Sequence, residues 1–267
     1  MSARAAAISC LLATAAMASD AQEAPHPAVQ PAALKAASAS PGHAAHWTYD
    51  GETGPTHWSE LSGDNTWCSA GHQQSPINIA STVHADAALP APTWSSVAGG
   101  MVVNNGHTIE VDISGAGGVA IGDKTYVLKQ FHFHHPSEHT INGRSFPLEA
   151  HLVHAADDGR LAVVSVMFDS GPSNPLLDQI WGSAPVLEGK SAVRFDIDPA
   201  ELIPRHSAAY RYEGSLTTPP CSETVTWTVM AEPATASPAQ LAAFAALFPN
   251  NARPVQPLNR RYVLLTE

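Results

Sequence analysis

The chain has 267 residues, of which 44% are hydrophobic and 14% are charged, and its formal net charge at pH 7 is −11. This length suits one large domain or two small ones with an ample buried core. The negative charge argues against nucleic acids and anionic membranes as partners, because both would repel the protein, and it favours a soluble protein that handles a small molecule.

The first 18 residues have the pattern of a secretory signal peptide. Arg4 supplies the positive start, residues 5–16 form an apolar run too short to span a bilayer, and Ala16-Met17-Ala18 is a typical cleavage site. Cys10 allows a lipoprotein as the alternative, but it lies too close to Arg4 for an apolar region to fit between them. We therefore expect an exported protein, periplasmic or else secreted.

A compositional change divides the rest of the chain. Residues 19–44 are rich in Ala, Pro, Ser and His, which predicts a flexible leader, and residues 45–267 predict one domain. Cys68 and Cys221 are the only cysteines that remain after the signal peptide. In an exported protein such a pair predicts a disulfide, worth about 4–5 kcal/mol for so long a loop, with two buried thiols as the alternative.

Alternation of apolar and polar residues dominates the predicted domain and is typical of β-strands. It is found at residues 101–103, 107–111, 126–134, 148–153, 161–168, 193–197 and 224–230. Two helices are predicted where Asn174-Pro175 and Ser237-Pro238 each place a capping side chain before a proline. The fold class is therefore mainly β, with a few peripheral helices.

Three histidines on two of these strands form a candidate metal site. Successive side chains of a strand point to opposite faces, so His132 and His134 share one face and Phe131 and Phe133 share the other. If the strand that carries His151 is a neighbour, three imidazoles meet. Three neutral nitrogen ligands without a fourth protein ligand are typical of catalytic zinc, whose open position holds water.

Two polar residues are placed to support this site. Gln130 and Glu149 lie two positions from His132 and His151 on the same faces, where each can accept the second N–H of an imidazole. The alternative for any single histidine on such a strand is a hydrogen-bonded core or surface residue. His135 and His154 fall on the opposite faces of their strands from the candidate ligands. We therefore interpret both as hydrogen-bonded core or surface residues.

The ordered motifs resemble those of the α-class carbonic anhydrases over residues 46 to about 262. Those motifs are Tyr49, Gly54-Pro55 and Trp58; Gln74-Ser75-Pro76-Ile77-Asn78-Ile79; Asn105-Gly106-His107; Gln130 to His134; Ser137-Glu138-His139; Glu149 to Val153; Gly214 to Pro220; and Arg253-Pro254 before Gln256-Pro257-Leu258. The resemblance implies a large, twisted, mostly antiparallel sheet of ten strands. It further implies one zinc ion per chain, bound by His132, His134 and His151 at the bottom of a conical cleft.

The resemblance also implies the reaction, which is the reversible hydration of carbon dioxide to bicarbonate and a proton by a zinc-bound hydroxide. Thr217 is similar to the family's gatekeeping threonine, and Glu138 to the carboxylate that accepts a hydrogen bond from its hydroxyl. The lone pairs of Thr217 then accept a hydrogen from hydroxide and orient it. Thr217 and Thr218 would contact the substrate, beside an apolar wall of Val153, Val163, Leu216 and Trp227.

His107 is similar to the family's proton shuttle, since an imidazole with a pKa near 6.5 can carry a proton from the metal centre to solvent. Tyr49 and Asn105 would order the water chain between them. Glu110 and Lys129 stand where better-known animal members carry an amide near the water network and an apolar residue in the cleft wall. The resemblance to bacterial members implies a homodimer.

Two other functions remain as alternatives. A non-catalytic binding module of the same family predicts a missing ligand or a blocked cleft, but His132, His134, His151, Glu138 and Thr217 are all present. A zinc hydrolase of esters or peptides predicts an extra general base, such as the Glu of H-E-x-x-H, which this sequence lacks.

Overall fold

The structure is a computed structural model that describes residues 46–86, 91–204 and 208–266. The predicted signal peptide and the predicted leader lie outside the described residues, as does residue 45 at the start of the predicted domain. None of the helices in the described ranges has the length and apolar content that a membrane span needs.

The described residues form fifteen strands and four α-helices, together with 3₁₀ turns at Gly51–Thr53, Gly63–Asn65 and Pro199–Leu202. The helices are α1 (Trp58–Leu61), α2 (Trp67–Ala70), α3 (Pro175–Ser183) and α4 (Pro238–Leu247). The strands are β1 (Asn78–Ile79), β2 (Val83–His84), β3 (Ala91–Pro92), β4 (Val97–Asn104), β5 (Ile109–Asp112), β6 (Gly118–Ile121), β7 (Lys124–His134), β8 (Thr140–Ile141), β9 (Leu148–Ala155), β10 (Leu161–Ser170), β11 (Gly189–Ile197), β12 (Ala209–Gly214), β13 (Val225–Met230), β14 (Ala234–Ala236) and β15 (Leu264–Thr266).

One large twisted sheet contains thirteen of the described strands. Ten of them follow one another in the order β11-β4-β5-β7-β9-β10-β13-β12-β15-β2, and β3, β6 and β14 attach to the side of this path. The only parallel pairs among these thirteen strands are β10–β13, β10–β14 and β15–β2. The predicted mainly β, mostly antiparallel architecture is confirmed, with three strands more than the predicted ten.

The seven predicted strands are confirmed, because they overlap β4, β5, β7, β9, β10, β11 and β13, although residues 107 and 108 precede β5 and residue 224 precedes β13. Both predicted helices are confirmed with their caps. The Asn174 side chain accepts from two backbone N–H groups at the start of α3, and Ser237 and Gln240 form a capping box at the start of α4. Both helices bury apolar side chains in the same core as Phe131 and Phe133.

The register between neighbouring strands decides which side chains meet on the sheet. β7 and β9 are antiparallel neighbours with His132 directly opposite His151. On the same face, Val153 of β9 lies opposite Val163 of β10, which in turn lies opposite Trp227 of β13. The sheet therefore sets three imidazoles next to an apolar row.

The predicted disulfide is confirmed. Cys68 of α2 is bonded to Cys221, with a sequence separation of 153 residues. Both cysteines are buried beside Trp58 in a small cluster against which Trp47 and Tyr49 pack. The disulfide therefore ties the start of the described domain to the loop that follows Thr217.

Candidate metal centre

The three predicted metal ligands lie together on one face of β7 and β9. One ligand nitrogen from each of His132, His134 and His151 lies within 4.8 Å of the others. His134 and His151 are almost completely buried, whereas His132 is half-buried. A metal ion could therefore bind at the side of the cluster that His132 leaves open.

Each of these imidazoles uses one ring nitrogen as a hydrogen-bond donor to an oxygen. His132 Nδ1 donates to Gln130 Oε1 at 2.8 Å, and His151 Nε2 donates to Glu149 Oε1 at 2.7 Å. His134 Nδ1 donates to the backbone carbonyl of Asn251 at 2.8 Å. Because an acceptor fixes the proton on that nitrogen, the lone pair is left on His132 Nε2, His134 Nε2 and His151 Nδ1.

Burial keeps the three imidazoles neutral. Desolvation lowers the pKa of His132 well below its usual value, and the neighbouring His134 and His151 lower it further. Desolvation also lowers the pKa of His134 to about 4 and lowers that of His151. A neutral imidazole is the form that binds a metal, so these nitrogens are ready to coordinate at neutral pH.

An orphaned nitrogen tests whether the site fits a metal. His134 Nε2 is buried and has no hydrogen-bond partner among the described residues, and its nearest acid oxygen, Glu138 Oε2, is 3.5 Å away. An unpaired buried polar atom costs about 1–3 kcal/mol, so it needs a partner. Three nitrogen donors without a thiolate are a donor set that suits zinc. The residues therefore fit a catalytic zinc ion.

Glu149 is the centre of a network that sequence reasoning found only in part. Besides His151, its carboxylate accepts from the backbone N–H and Nδ1 of His139 at 2.9 and 2.7 Å, and from the Ser165 hydroxyl at 2.5 Å. His139 Nε2 in turn lies 2.6 Å from the Tyr212 hydroxyl. Burial alone would raise the pKa of Glu149, but His139 and His151 hold it well below its usual range.

The predicted pair of Glu138 and Thr217 lies beside the imidazoles, and both side chains are buried. Glu138 Oε1 accepts from the backbone N–H of Arg253 at 2.8 Å. Burial raises the pKa of Glu138 to about 7, while His151, a hydrogen bond from Thr217 and the one from Arg253 act in the opposite direction. A nearby dication would shift this balance towards the ionised carboxylate.

The four predicted wall residues belong to one apolar cluster. Val163 and Trp227 are buried in it, and Val153 and Leu216 pack against it. The Trp227 ring centroid is 4.9 Å from that of His151, so the cluster reaches the imidazoles. Thr218 is half-buried, and its carbonyl accepts from the Cys221 N–H at 2.9 Å in the loop closed by the disulfide.

The predicted shuttle residue, His107, lies on the turn between β4 and β5. Asn105 Oδ1 accepts from the backbone N–H groups of His107 and Thr108, each at 3.0 Å, so Asn105 shapes this turn. The His107 ring stacks on Trp47 with centroids 3.7 Å apart and an angle of 8° between the planes. Tyr49 meets His107 edge-on at 6.4 Å, and burial raises its pKa well above the usual value.

The environment of His107 differs from the expectation of a pKa near 6.5. Desolvation beside the aromatic rings lowers its pKa to about 4, the charge of His46 lowers it too, and the charge of Glu188 opposes them. Glu188 and His46 are both exposed. His107 therefore releases a proton more readily than an ordinary imidazole does.

The two residues that depart from animal members differ in their surroundings. Glu110 lies directly opposite His132 across β5 and β7, and burial, together with the charge of Asp112 and a hydrogen bond to it, raises its pKa to about 7. Lys129 is exposed where the register between β7 and β9 shifts. Glu110 therefore borders the imidazole cluster, whereas Lys129 points to solvent.

Asn251 and Arg253 are the residues that strand parity could not find. Asn251 supplies the carbonyl that holds His134, and its side chain also donates to the carbonyls of His107 and Phe133, both at 2.9 Å. Both residues lie on a loop far from β7 in sequence. Only the match to Arg253-Pro254 pointed to this part of the chain.

Comparisons with known proteins agree with this geometry. The family model described as "Eukaryotic-type carbonic anhydrase" matches residues 53–267. A "Carbonic anhydrase" of Pectobacterium carotovorum is 41% identical over 85% of this chain and 93% of its own length. "Dioscorin dioA3" of Dioscorea japonica is 38% identical over 80% of this chain and 83% of its own.

Solved structures give the same picture. The α-carbonic anhydrase of Thermovibrio ammonificans, in complex with the inhibitor sulfanilamide, has a TM-score of 0.80 and 46% identity, and the match covers 84% of this chain and all of that one.

Proposed function

The chain belongs to the eukaryotic-type carbonic anhydrase family, and from this membership we propose that it catalyses the reversible hydration of carbon dioxide to bicarbonate and a proton. The observation that carries the proposal is the convergence of His132, His134 and His151, each with one ring nitrogen hydrogen-bonded to an oxygen. These three residues would hold one zinc ion. The chemistry that zinc supplies when bound is a lowered pKa, about 7, for a coordinated water that can then attack carbon dioxide.

Thr217 and Glu138 would select and orient the attacking group. When the Thr217 hydroxyl donates to the ionised carboxylate of Glu138, its lone pairs face the imidazole cluster and can accept one hydrogen bond. A group that carries a hydrogen is therefore favoured there over an anion without one. The Arg253 backbone N–H, which donates to Glu138 Oε1, would hold the carboxylate in position.

The apolar wall would hold carbon dioxide before the attack. Val153, Val163, Leu216 and Trp227 offer the uncharged substrate a surface that binds no ordered water. The Thr217 backbone N–H would then bind an oxygen of the substrate or of bicarbonate, and Thr218 would line the same position. His107 would take the released proton towards solvent, through waters ordered by Tyr49 and Asn105.

Stopped-flow measurement of carbon dioxide hydration tests this function. We expect the zinc-loaded protein to be active, a chelator to abolish the activity, and His132→Ala to lose both stoichiometric zinc and activity. His72→Ala, which changes an exposed histidine, serves as the matched control. Full activity of His132→Ala with bound zinc would disprove the ligand assignment.

The same experiment separates the alternatives. A non-catalytic module of the family would not hydrate carbon dioxide, whether or not it binds zinc. A zinc hydrolase would cleave esters or peptides but would not hydrate carbon dioxide. Weak cleavage of activated esters beside rapid hydration is compatible with our proposal, because the same nucleophile can attack both substrates.

Export to an oxidising compartment is the proposed location, with the periplasm first and secretion second. The Cys68–Cys221 disulfide supports it, because structural disulfides persist in such compartments. Cell fractionation with detection of the shortened mature chain tests the predicted cleavage after Ala18. The homodimer stays a prediction from the resemblance, and light scattering of the purified protein tests it.

A further inference from the structure

A second imidazole lies beside the predicted shuttle residue. The ring centroids of His46 and His107 are 5.4 Å apart, and their planes are inclined by 29°. His46 is exposed, whereas His107 is half-buried against Trp47. A second titratable ring, exposed to solvent, therefore lies next to the ring that is predicted to export the proton.

The surroundings of His107 make a second acceptor useful. One face of its ring is closed by Trp47, so water reaches His107 from fewer directions than it reaches an exposed imidazole. The titratable and charged groups that act on His107 are His46, Glu188 and, edge-on, Tyr49. The Glu188 charge partly opposes the lowering of the His107 pKa, and the Tyr49 hydroxyl keeps its own proton at neutral pH because burial raises its pKa. Among these groups, His46 is the exposed imidazole next to the His107 ring, and an imidazole can both accept and release a proton.

We propose that His46 is a proton-relay residue that receives the proton from His107 and delivers it to solvent. The inference rests on the proposed function, because only the hydration reaction supplies the proton. His107 loses one proton from a ring nitrogen, the unprotonated nitrogen of His46 binds it through a bridging water, and His46 then releases it to buffer. Both imidazoles return to the neutral form, and no bond other than N–H and O–H bonds changes.

Two substitutions at one position separate proton transfer from ring packing. His46→Ala removes both the ring and the proton acceptor, whereas His46→Phe keeps an aromatic ring next to His107 and removes only the acceptor. His84→Ala is the matched control, because His84 is an exposed histidine on β2, at the opposite end of the sheet from β4 and β5. All three variants and the unmodified chain are compared as zinc-loaded proteins.

In weak buffer we expect both His46 variants to hydrate carbon dioxide at least about threefold more slowly, since positioned proton-transfer groups contribute this much or more. Concentrated imidazole buffer should restore the rate of both, and His84→Ala should match the unmodified chain. Unchanged rates for both variants in weak buffer would overturn the relay. A normal rate for His46→Phe beside a slow His46→Ala would also overturn it, because ring packing would then explain the effect.

An NMR titration of the imidazole resonances gives a readout that needs no turnover. The charge of His46 lowers the pKa of His107, so His46→Ala should raise the pKa of His107, and His84→Ala should leave it unchanged. An unaltered His107 titration would contradict the coupling on which the relay depends. If the zinc-loaded unmodified chain hydrates no carbon dioxide, the proposed function fails and the relay with it, whereas a failed relay alone leaves chelator-sensitive hydration intact.

Discussion

Strand β9 carries two buried histidines that point to opposite faces of the sheet. His151 donates from Nε2 to Glu149, and its Nδ1 lies 3.9 Å from Glu138 Oε2, beyond hydrogen-bond distance. His154 uses both nitrogens, because Nδ1 donates to the Ala162 carbonyl at 3.1 Å and Nε2 accepts from Trp94 Nε1–H at 3.0 Å. Neither residue type nor burial separates the two.

The two histidines differ in the hydrogen bonds of their ring nitrogens and in the residues that surround them. One ring nitrogen of His151 lies within 4.8 Å of one from His132 and one from His134. On the opposite face, β7 offers Phe131 and Phe133 to the core instead. A buried imidazole is therefore a core residue where its surroundings satisfy both nitrogens, and a candidate ligand where they satisfy only one.

Leucine substitution of His151 and of His154 should give the largest difference in effect between the two faces of the sheet. We expect His151→Leu to fall to the hydration rate of the zinc-free protein, because one of three ligands is gone. His154→Leu should keep stoichiometric zinc but lose about 1–3 kcal/mol of unfolding free energy, since Trp94 N–H and the Ala162 carbonyl lose their partner. Metal analysis and urea denaturation measure both effects. Zinc loss from both variants would mean that the two faces are not independent.

Acid should destabilise the chain through His154. Burial lowers the pKa of His154 to about 4 in the folded protein, whereas an unfolded imidazole titrates near 6.5. The unfolded state therefore binds more protons between these values, so stability that is complete above pH 6.5 is lost as the pH falls towards 4, by about 3 kcal/mol.

His154→Gln, which cannot titrate, tests this pH dependence. Its unfolding free energy, measured in urea with a chelator present, should change less between pH 7 and pH 4.5 than that of the unmodified chain. The exposed His72→Ala should behave as the unmodified chain. Equal pH slopes for His154→Gln and the unmodified chain would contradict the assignment.

Substitution of Glu149, which accepts a hydrogen bond from His151, should weaken zinc binding less than substitution of His151 itself. Glu149→Gln keeps an oxygen for the His151 N–H but removes the charge that also binds His139 and Ser165. Replacement of such a supporting residue typically costs about 10–100-fold in metal affinity. Competition with a chromophoric chelator measures the loss, and the exposed Glu52→Gln should show none. Unchanged zinc affinity in Glu149→Gln would reduce Glu149 to a purely structural residue.

The sheet face that carries the imidazoles could be predicted from sequence, because the alternation of side chains between two faces depends only on neighbouring positions in the chain. Alternation alone put His132, His134 and Gln130 on one face, and the register of β7 and β9 agrees. Parity also put His154 on the other face. The two helix starts could be predicted in the same way, because in Asn174-Pro175 and Ser237-Pro238 a capping side chain directly precedes a proline.

Contacts between distant segments could not be predicted in this way. The carbonyl that holds His134 comes from Asn251, 117 residues away, and a backbone carbonyl has no sequence signature. β12 was not among the predicted strands, and its buried positions do not alternate regularly with its more exposed ones. The stacking of Trp47 on His107 joins the start of the described domain to a distant turn. The local sequence of neither segment predicts this contact.

Substitution of His107 or Glu188 should change the hydration rate least, because buffer and water can also carry the proton. His107→Ala should slow hydration in weak buffer by about tenfold, below the usual contribution of a positioned acid or base, since a pKa of about 4 makes His107 a poor proton acceptor at neutral pH. Added imidazole should restore the rate, and zinc content should stay stoichiometric. Glu188→Gln should lower the pKa of His107 further, because it removes the charge that raises it. Unchanged turnover of His107→Ala in weak buffer would remove His107 from the proton path.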